Sequence, residues 1–296
     1  MMSRRNHSDD QFERIRRRRP RRSVIPTLTD LVPSEEAKKA YEAGTGEMAP
    51  EFTDPGLQEL HDRGVLRMIL RQLKSGKEAT VYVCDGDRGR MAVKLYHDIE
   101  ARSFRGDGLY SAGRFIGDAR IERAIAQGSK TGLAARLALW IEHEYYELEL
   151  LHARGVPVPC PAAHAGKAIV MEFIGKGDEP APRLSELRLP PRKAEDAFRQ
   201  SVDALAAIVA CGRVHGDFST FNLLWWNERV VVIDLPQLIV IDENPDAAIF
   251  LQRDIDSLCA TFARFGIEAD RRAVAQRVVN CEAEALRHSP LRSVLE

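Results

Sequence analysis

Three polar side chains in the C-terminal half of the sequence have the types and spacing that phosphoryl chemistry requires. Asp217 follows an apolar run and a His215-Gly216 pair, Asn222 comes five residues later, and Asp234 closes the run Val230-Val231-Val232-Ile233. Leu223-Leu224 and a polar Asn227-Glu228 lie between them, so the stretch reads as a hairpin presenting two acids and one amide at a common mouth. One carboxylate can orient a hydroxyl and take its proton. An amide and a second carboxylate can hold magnesium, or manganese, on phosphate oxygens. Asp217 is the candidate base, and Asn222 and Asp234 are the candidate metal ligands. The pattern gains weight if a lysine-bearing strand hairpin lies upstream.

The upstream elements that would complete such a site are legible as short strands. Val65 to Leu70, Thr80 to Cys84 and Met91 to Tyr96 read as strands separated by polar turns, an antiparallel meander. The first turn carries Ser75, Gly76, Lys77 and Glu78, whose backbone amides could approach a triphosphate. It is not a G-x-G-x-x-G loop, and an ordinary hairpin would read the same. Lys94 lies in the third strand among apolar neighbours. A strand lysine normally points to solvent. In company with Asp217, Asn222 and Asp234 it becomes the expected phosphate contact and a member of the catalytic set.

A helix is expected after Gly132, because Leu137, Ile141, Tyr145, Leu148 and Leu151 recur at helical spacing. Glu144 shares that apolar face, so it needs a cation, and Lys94 is the natural partner; Glu142 or Glu147 could serve instead. Ala168 to Gly175 reads as a buried strand. In a two-lobed enzyme it runs into a hinge where Met171 and the backbone of Glu172 through Ile174 could bind adenine. It could equally be a plain core strand. Ala197, Phe198, Val202, Leu205, Ile208 and Val209 outline an amphipathic helix feeding the His215 turn.

Composition sets the outer bounds. The 296 residues suffice for one large domain or two lobes. Net charge is −1, but its distribution is uneven: residues 1–22 hold the run Arg16 to Arg19 followed by Arg21 and Arg22. That arm should be disordered, and is either an RNA-contacting polycation or a solvated tail. Residues 23–64 are a connector with a short helix near 34–43 capped by Ser34. Residues 98–133 form a long basic loop with a helical piece near 118–127. The five cysteines are scattered without a C-x-x-C pair, which fits a reducing cytoplasm better than a zinc site or disulfide framework. No apolar run is long enough to cross a membrane, and no secretory leader is expected.

Taken together these stretches resemble the RIO family of atypical protein kinases, nearest its first subfamily. The resemblance rests on Ser75-Gly76-Lys77-Glu78-Ala79 with Val81-Tyr82, on Ala92-Val93-Lys94, on Trp140 with Glu144, and on Val170 to Gly175. It continues through His215-Gly216-Asp217-Phe218-Ser219 with Asn222 and through Ile233-Asp234-Leu235-Pro236-Gln237. They occur in one order over residues 65–262. The resemblance implies an α+β, two-lobed protein-kinase-like fold: an antiparallel N-lobe sheet with one helix over 65–175, and a reduced helical C-lobe over 176–296 without an activation segment. It implies ATP beneath the Ser75–Glu78 loop, Lys94 on its phosphates, Asp217 as base, and Asn222 and Asp234 on magnesium. It also implies serine/threonine kinase activity on a protein or on the chain itself, or an ATPase cycle through a phosphoaspartate at Asp234. Ser103, Ser111 and Ser129 are candidate autophosphorylation sites. Two departures stand out: Gly216 where eukaryotic relatives usually have alanine, and an N-terminal arm without counterpart.

Sixty-two residues follow Asp234 and contain no Ala-Pro-Glu, which suits a reduced C-lobe. Two other classes share some of the features. Small-molecule kinases of the aminoglycoside or choline type also use His-Gly-Asp, but with a larger C-terminal domain. An RNA-associated scaffold would need only the basic arm.

Overall fold

Strand alternation sorts the N-terminal residues onto two faces of one sheet. The computed structural model describes residues 52–97, 119–235 and 238–280. Within them β1 (Leu66–Ser75), β2 (Ala79–Gly86) and β3 (Gly89–Tyr96) form an antiparallel meander. With β4 (Pro161–Ala165) and β5 (Ala168–Glu172) they build a five-stranded sheet in the order β1-β2-β3-β5-β4. Met91, Val93 and Leu95 of β3 pack on one face with Leu57 and Leu60 of helix α1 (Pro55–Asp62). Successive side chains alternate, so Ala92, Lys94 and Tyr96 take the other face. There Tyr96 meets Leu137, Ile141 and Tyr145 of the long helix α3 (Lys130–Ala153).

Three boundaries differ from the sequence-based expectation, each for a local reason. The first strand runs on to Ser75, with register shifts along its length, so the turn before β2 shrinks to residues 76–78. Helix α3 begins at Lys130 rather than after Gly132. Ser129 caps it by accepting a hydrogen bond from Gly132 N (3.1 Å) and donating to Ala124 O (3.1 Å). Gly132 is there for closeness: a Cβ on it would come within 2.0 Å of the Ala124 carbonyl oxygen in α2 (Ala119–Ala126). The strand expected over Ala168 to Gly175 stops at Glu172. Gly175 opens a separate two-residue strand, β6 (Gly175–Lys176), paired with β7 (Glu179–Pro180). The proline-rich connection over 176–192 is partly ordered by that hairpin and a 3-10 turn at Leu184–Glu186.

The C-terminal half is mostly helical. Helix α4 (Pro191–Ala210) starts at a proline, whose missing N–H is harmless there, and buries Ala197, Val202, Leu205 and Ile208. Helices α5 (Ala247–Phe262) and α6 (Arg271–Asn280) close on the same core. Between α4 and α5 come β8 (Arg213–Val214), the hairpin β9 (Leu223–Trp226) and β10 (Arg229–Val232), and β11 (Ile239–Val240), which pairs with β8. The hairpin turns at Asn227 (φ 48°) and Glu228 (φ 59°), both left-handed, as a type I′ turn demands. The expected α+β arrangement, an antiparallel sheet with one main helix ahead of a reduced helical half, is the one that forms. No helix among the described residues is long and apolar enough to cross a membrane. The basic arm, the Ser34 helix, Ser103, Ser111 and residues 98–118 lie outside the described residues.

Candidate active site

Lys94 does not turn to solvent. Its side chain is 13% exposed, and Nζ lies 2.7 Å from Glu144 Oε1 and 3.2 Å from Asp234 Oδ1. Three elements far apart in sequence supply this cluster: β3, α3 and the segment after β10. Burial would discharge the ammonium, but the two carboxylates outweigh it and raise its pKa, so Lys94 is held as a cation. Glu144 has a second partner. Tyr96, two residues along the same face as Lys94, donates its hydroxyl to Glu144 Oε2. Burial first and the Glu144 charge second push that phenol well above its usual pKa, so it stays a donor. Of the carboxylates considered as partners for Lys94, Glu147 is committed elsewhere, to Arg213 Nε at 2.8 Å.

Asp234 adopts φ 67°, a left-handed conformation costly for a residue with a Cβ. It is pinned on both sides: Ile233 N donates to Asn222 O at 2.9 Å, and the carboxylate meets Lys94. Strain of this kind persists where the surroundings over-determine it, commonly at functional sites.

These groups border a cavity of about 740 Å³ between the sheet and the β9–β10 hairpin, within the size range of small-molecule sites. Gly76, Lys77 and Glu78 line it from the β1–β2 turn, Met171, Glu172 and Ile174 from the end of β5, and Lys94, Glu144 and Asp234 between them. Glu172's carboxylate is engaged by Cys160 N (3.1 Å), and Ile174 O by Ala181 N (2.8 Å). Ser75, Asp217 and Asn222 are not among the lining residues. Ser75 is exposed and hydrogen-bonded to Thr80 Oγ1 at 3.1 Å.

Asp217 and Asn222 form their own unit beside the cavity. Asn222 Nδ2 donates to both Asp217 O (2.9 Å) and Asp217 Oδ2 (3.0 Å). Its nitrogen thus committed, Asn222 keeps Oδ1 as its oxygen donor for a hard cation. The turn carrying Asp217 hangs from a residue the sequence reading missed. Asp254 of α5, 1% exposed, accepts from Gly216 N and Phe218 N, each at 2.8 Å. Burial raises its pKa to about 6, against those two N–H groups. His215, also buried, accepts from Asp217 N at 3.3 Å, and burial lowers its pKa to about 4. Arg213, two residues before His215, makes the ion pair with Glu147 that joins α3 to the strand entering this turn.

A family model described as the RIO domain matches residues 80–275. The chain belongs to the RIO family of serine/threonine protein kinases. A RIO-type serine/threonine-protein kinase of Haloferax volcanii is 31% identical over 94% of this chain and 89% of its own length. A serine/threonine-protein kinase RIO1 of Caenorhabditis elegans is 31% identical over 71% of this chain, which spans only 40% of that relative. Among solved structures, a Rio2 kinase from Chaetomium thermophilum, described as an ADP/Mg2+-phosphoaspartate complex, superposes with a TM-score of 0.54 at 19% identity. The match covers 81% of this chain and 73% of that one, and shows a shared fold.

Proposed function

We propose that this chain transfers the γ-phosphoryl group of ATP, with magnesium or manganese, to a serine or threonine hydroxyl of a protein or of itself, with ATP hydrolysis as an accompanying outcome. The observation that carries this reading is the Lys94–Glu144–Asp234 cluster on the wall of the cavity. A fixed cation there suits phosphate oxygens, and Glu144, itself held by Tyr96, keeps the ammonium in place and protonated. Asp234 and the Asn222 Oδ1 atom are hard oxygen donors suited to magnesium, which supplies charge neutralisation on the phosphates when bound. Asp217 is assigned to orient the acceptor hydroxyl and take its proton. Residues 76–78 are assigned to the phosphates, and Met171, Glu172 and Ile174 to the base. In the domain scheme that accompanies this reading, the N-lobe spans 65–175 and the C-lobe 176–296. The phosphoaspartate of the Chaetomium relative makes Asp234 the candidate acceptor of a transient phosphoryl group here. The arginine-rich residues 1–22 are the candidate contact for RNA or a ribosomal surface, and a reducing cytoplasm the candidate location.

Incubation with γ-labelled ATP and magnesium tests the reading. Label should appear on protein, or as free phosphate, in the wild-type chain. Asp217→Ala should still bind nucleotide and fail to transfer; full turnover in that variant would remove Asp217 from the role of base.

A further inference from the structure

The base side of the cavity runs into a hairpin too short to hold itself. β6 and β7 pair Gly175 with Pro180 and Lys176 with Glu179, around a turn at Gly177 and Asp178. Isolated two-stranded hairpins are marginal in water at best, so this one is fixed from outside. Two arginines of the five-stranded sheet reach it. Arg71 Nε of β1 donates to the main-chain carbonyl of Asp178 at 2.9 Å. Arg90 Nε of β3 donates to Asp178 Oδ1 at 2.7 Å. Each arginine has a further acidic contact, Arg71 with Glu179 at 3.4 Å and Arg90 with Asp85 at 3.3 Å. Asp178 is therefore held by its backbone and its side chain at once, from two strands separated by β2 in the sheet.

Both arginines stand on the face of the sheet that carries Lys94. Arg90 shares that face by alternation along β3. Arg71 is opposite Val83, and Val83 is opposite Ala92; directly opposed residues point to the same side. Neither arginine is among the residues that line the cavity, but what they fix does line it. Phe173 is buried against Met68, Leu70, Val83 and Ala92 of that face. Ala181 N donates to Ile174 O at 2.8 Å, which carries the β6–β7 ladder on into the cavity wall. Gly175 lets the two parts meet: a Cβ on it would lie 2.2 Å from Glu179 O and 2.8 Å from the Phe173 ring. The wall made by Glu172, Phe173, Ile174, Pro180 and Ala181 is thus tied to the sheet twice, at Phe173 and at the hairpin turn. We infer that Arg71 and Arg90 are positioning residues, acting through Asp178, that fix this wall against the sheet and so set the affinity for the nucleoside part of ATP. The inference rests on the assignment of the base to Met171, Glu172 and Ile174 above.

The test measures calorimetric affinities of the full chain, with magnesium present, for adenosine, ATP and inorganic tripolyphosphate. Arg71→Met/Arg90→Met cuts both ties. It should weaken adenosine and ATP by the same factor, about five- to tenfold, the combined worth of two partly exposed links, and leave tripolyphosphate unchanged. Asp178→Ala, which keeps the Arg71 bond to the main chain, should lose less. Asp178→Asn, whose Oδ1 still accepts from Arg90, should recover most of that loss. In turnover assays of the double variant the KM for ATP should rise more than kcat falls. Unchanged adenosine affinity in the double variant would overturn the inference. So would an equal loss for tripolyphosphate, which would mean a general disturbance of the fold. A wild-type chain that binds tripolyphosphate but not adenosine is a different result: it removes the base from this wall, and the inference with it.

Discussion

Replacing Asp254 by Asn should reveal two buried titrations that mask each other in the wild-type protein. Asp254 has a folded pKa of about 6 against 3.8 for the ordinary carboxyl. The folded protein therefore holds this proton more tightly, and its contribution to stability is lost as pH rises from 3.8 to about 6. The shift corresponds to about 3 kcal/mol at 1.36 kcal/mol per pH unit. His215 runs the other way. Its folded pKa is about 4 against 6.5, so the unfolded chain binds the proton more tightly, and stability falls by about 3 kcal/mol as pH drops from 6.5 to about 4. Over the shared window the two slopes nearly cancel. In Asp254→Asn only the His215 slope remains. The stability of the variant should climb relative to wild type by about 3 kcal/mol between pH 4 and pH 6.5. Urea unfolding at half-unit pH steps measures this directly, and groups common to both proteins drop out of the difference. Parallel wild-type and variant curves would refute the claim that Asp254 ionises at a cost beneath the Asp217 turn. The same variant should lose kcat, because Gly216 N and Phe218 N bond separate carboxylate oxygens and asparagine puts an NH2 donor in one of those two places.

Three further perturbations test the packing around the site. Lys94→Met leaves the Glu144 carboxylate buried without its cation and should cost about 3–5 kcal/mol in urea unfolding; Lys94→Met/Glu144→Leu should recover part of it, and a double variant no more stable than the single would argue against a buried ion pair. Arg213→Ala leaves Glu147, 4% exposed, with only His143 Nε2 at 3.6 Å among its ion-pair partners, and should destabilise by about 3 kcal/mol; a melting curve matching wild type would contradict this. Gly132→Ala should destabilise by about 1–3 kcal/mol through its clash with the Ala124 carbonyl, although alanine is the better helix former. An unchanged or raised melting temperature would show that α2 and α3 are not in that close contact.

What could be read from the sequence was what local periodicity controls. Alternation in β3 and the apolar stripe of α3 each assign a face and make Lys94 and Glu144 natural partners, but only the fold shows that those faces meet and that Glu144, not Glu142 or Glu147, takes the lysine. The same rule applied two residues further would have found Tyr96, on Lys94's face. Asp254 was legible only as an anomaly, an acid on the buried stripe Leu251, Ile255 and Leu258 of α5. Nothing local says that its partners are amides more than thirty residues away. Helix α3 begins two residues before Gly132, and that glycine, inside the first turn, allows contact with α2, a reason invisible to periodicity. The connection over 176–192 has a polar, proline-rich composition with no periodicity, yet Pro180, Ala181, Arg183 and Glu186 line the cavity. Its order comes from pairing with residues on either side, including Trp225 N donating to Pro182 O at 2.9 Å. The left-handed backbone at Asp234 had no sequence signal, since the residue type that fits it best is glycine.

The central claim is that one nucleotide occupies the cavity with its phosphates between Lys94 and a cation held by Asp234. Calorimetric titration of ATP into the wild-type chain and into Asp234→Ala, each with and without magnesium, addresses it most directly. Wild type should bind ATP far more tightly with magnesium than without, and Asp234→Ala should lose that difference. Equal dependence on magnesium in both proteins, or no ATP binding by wild type, would contradict the account.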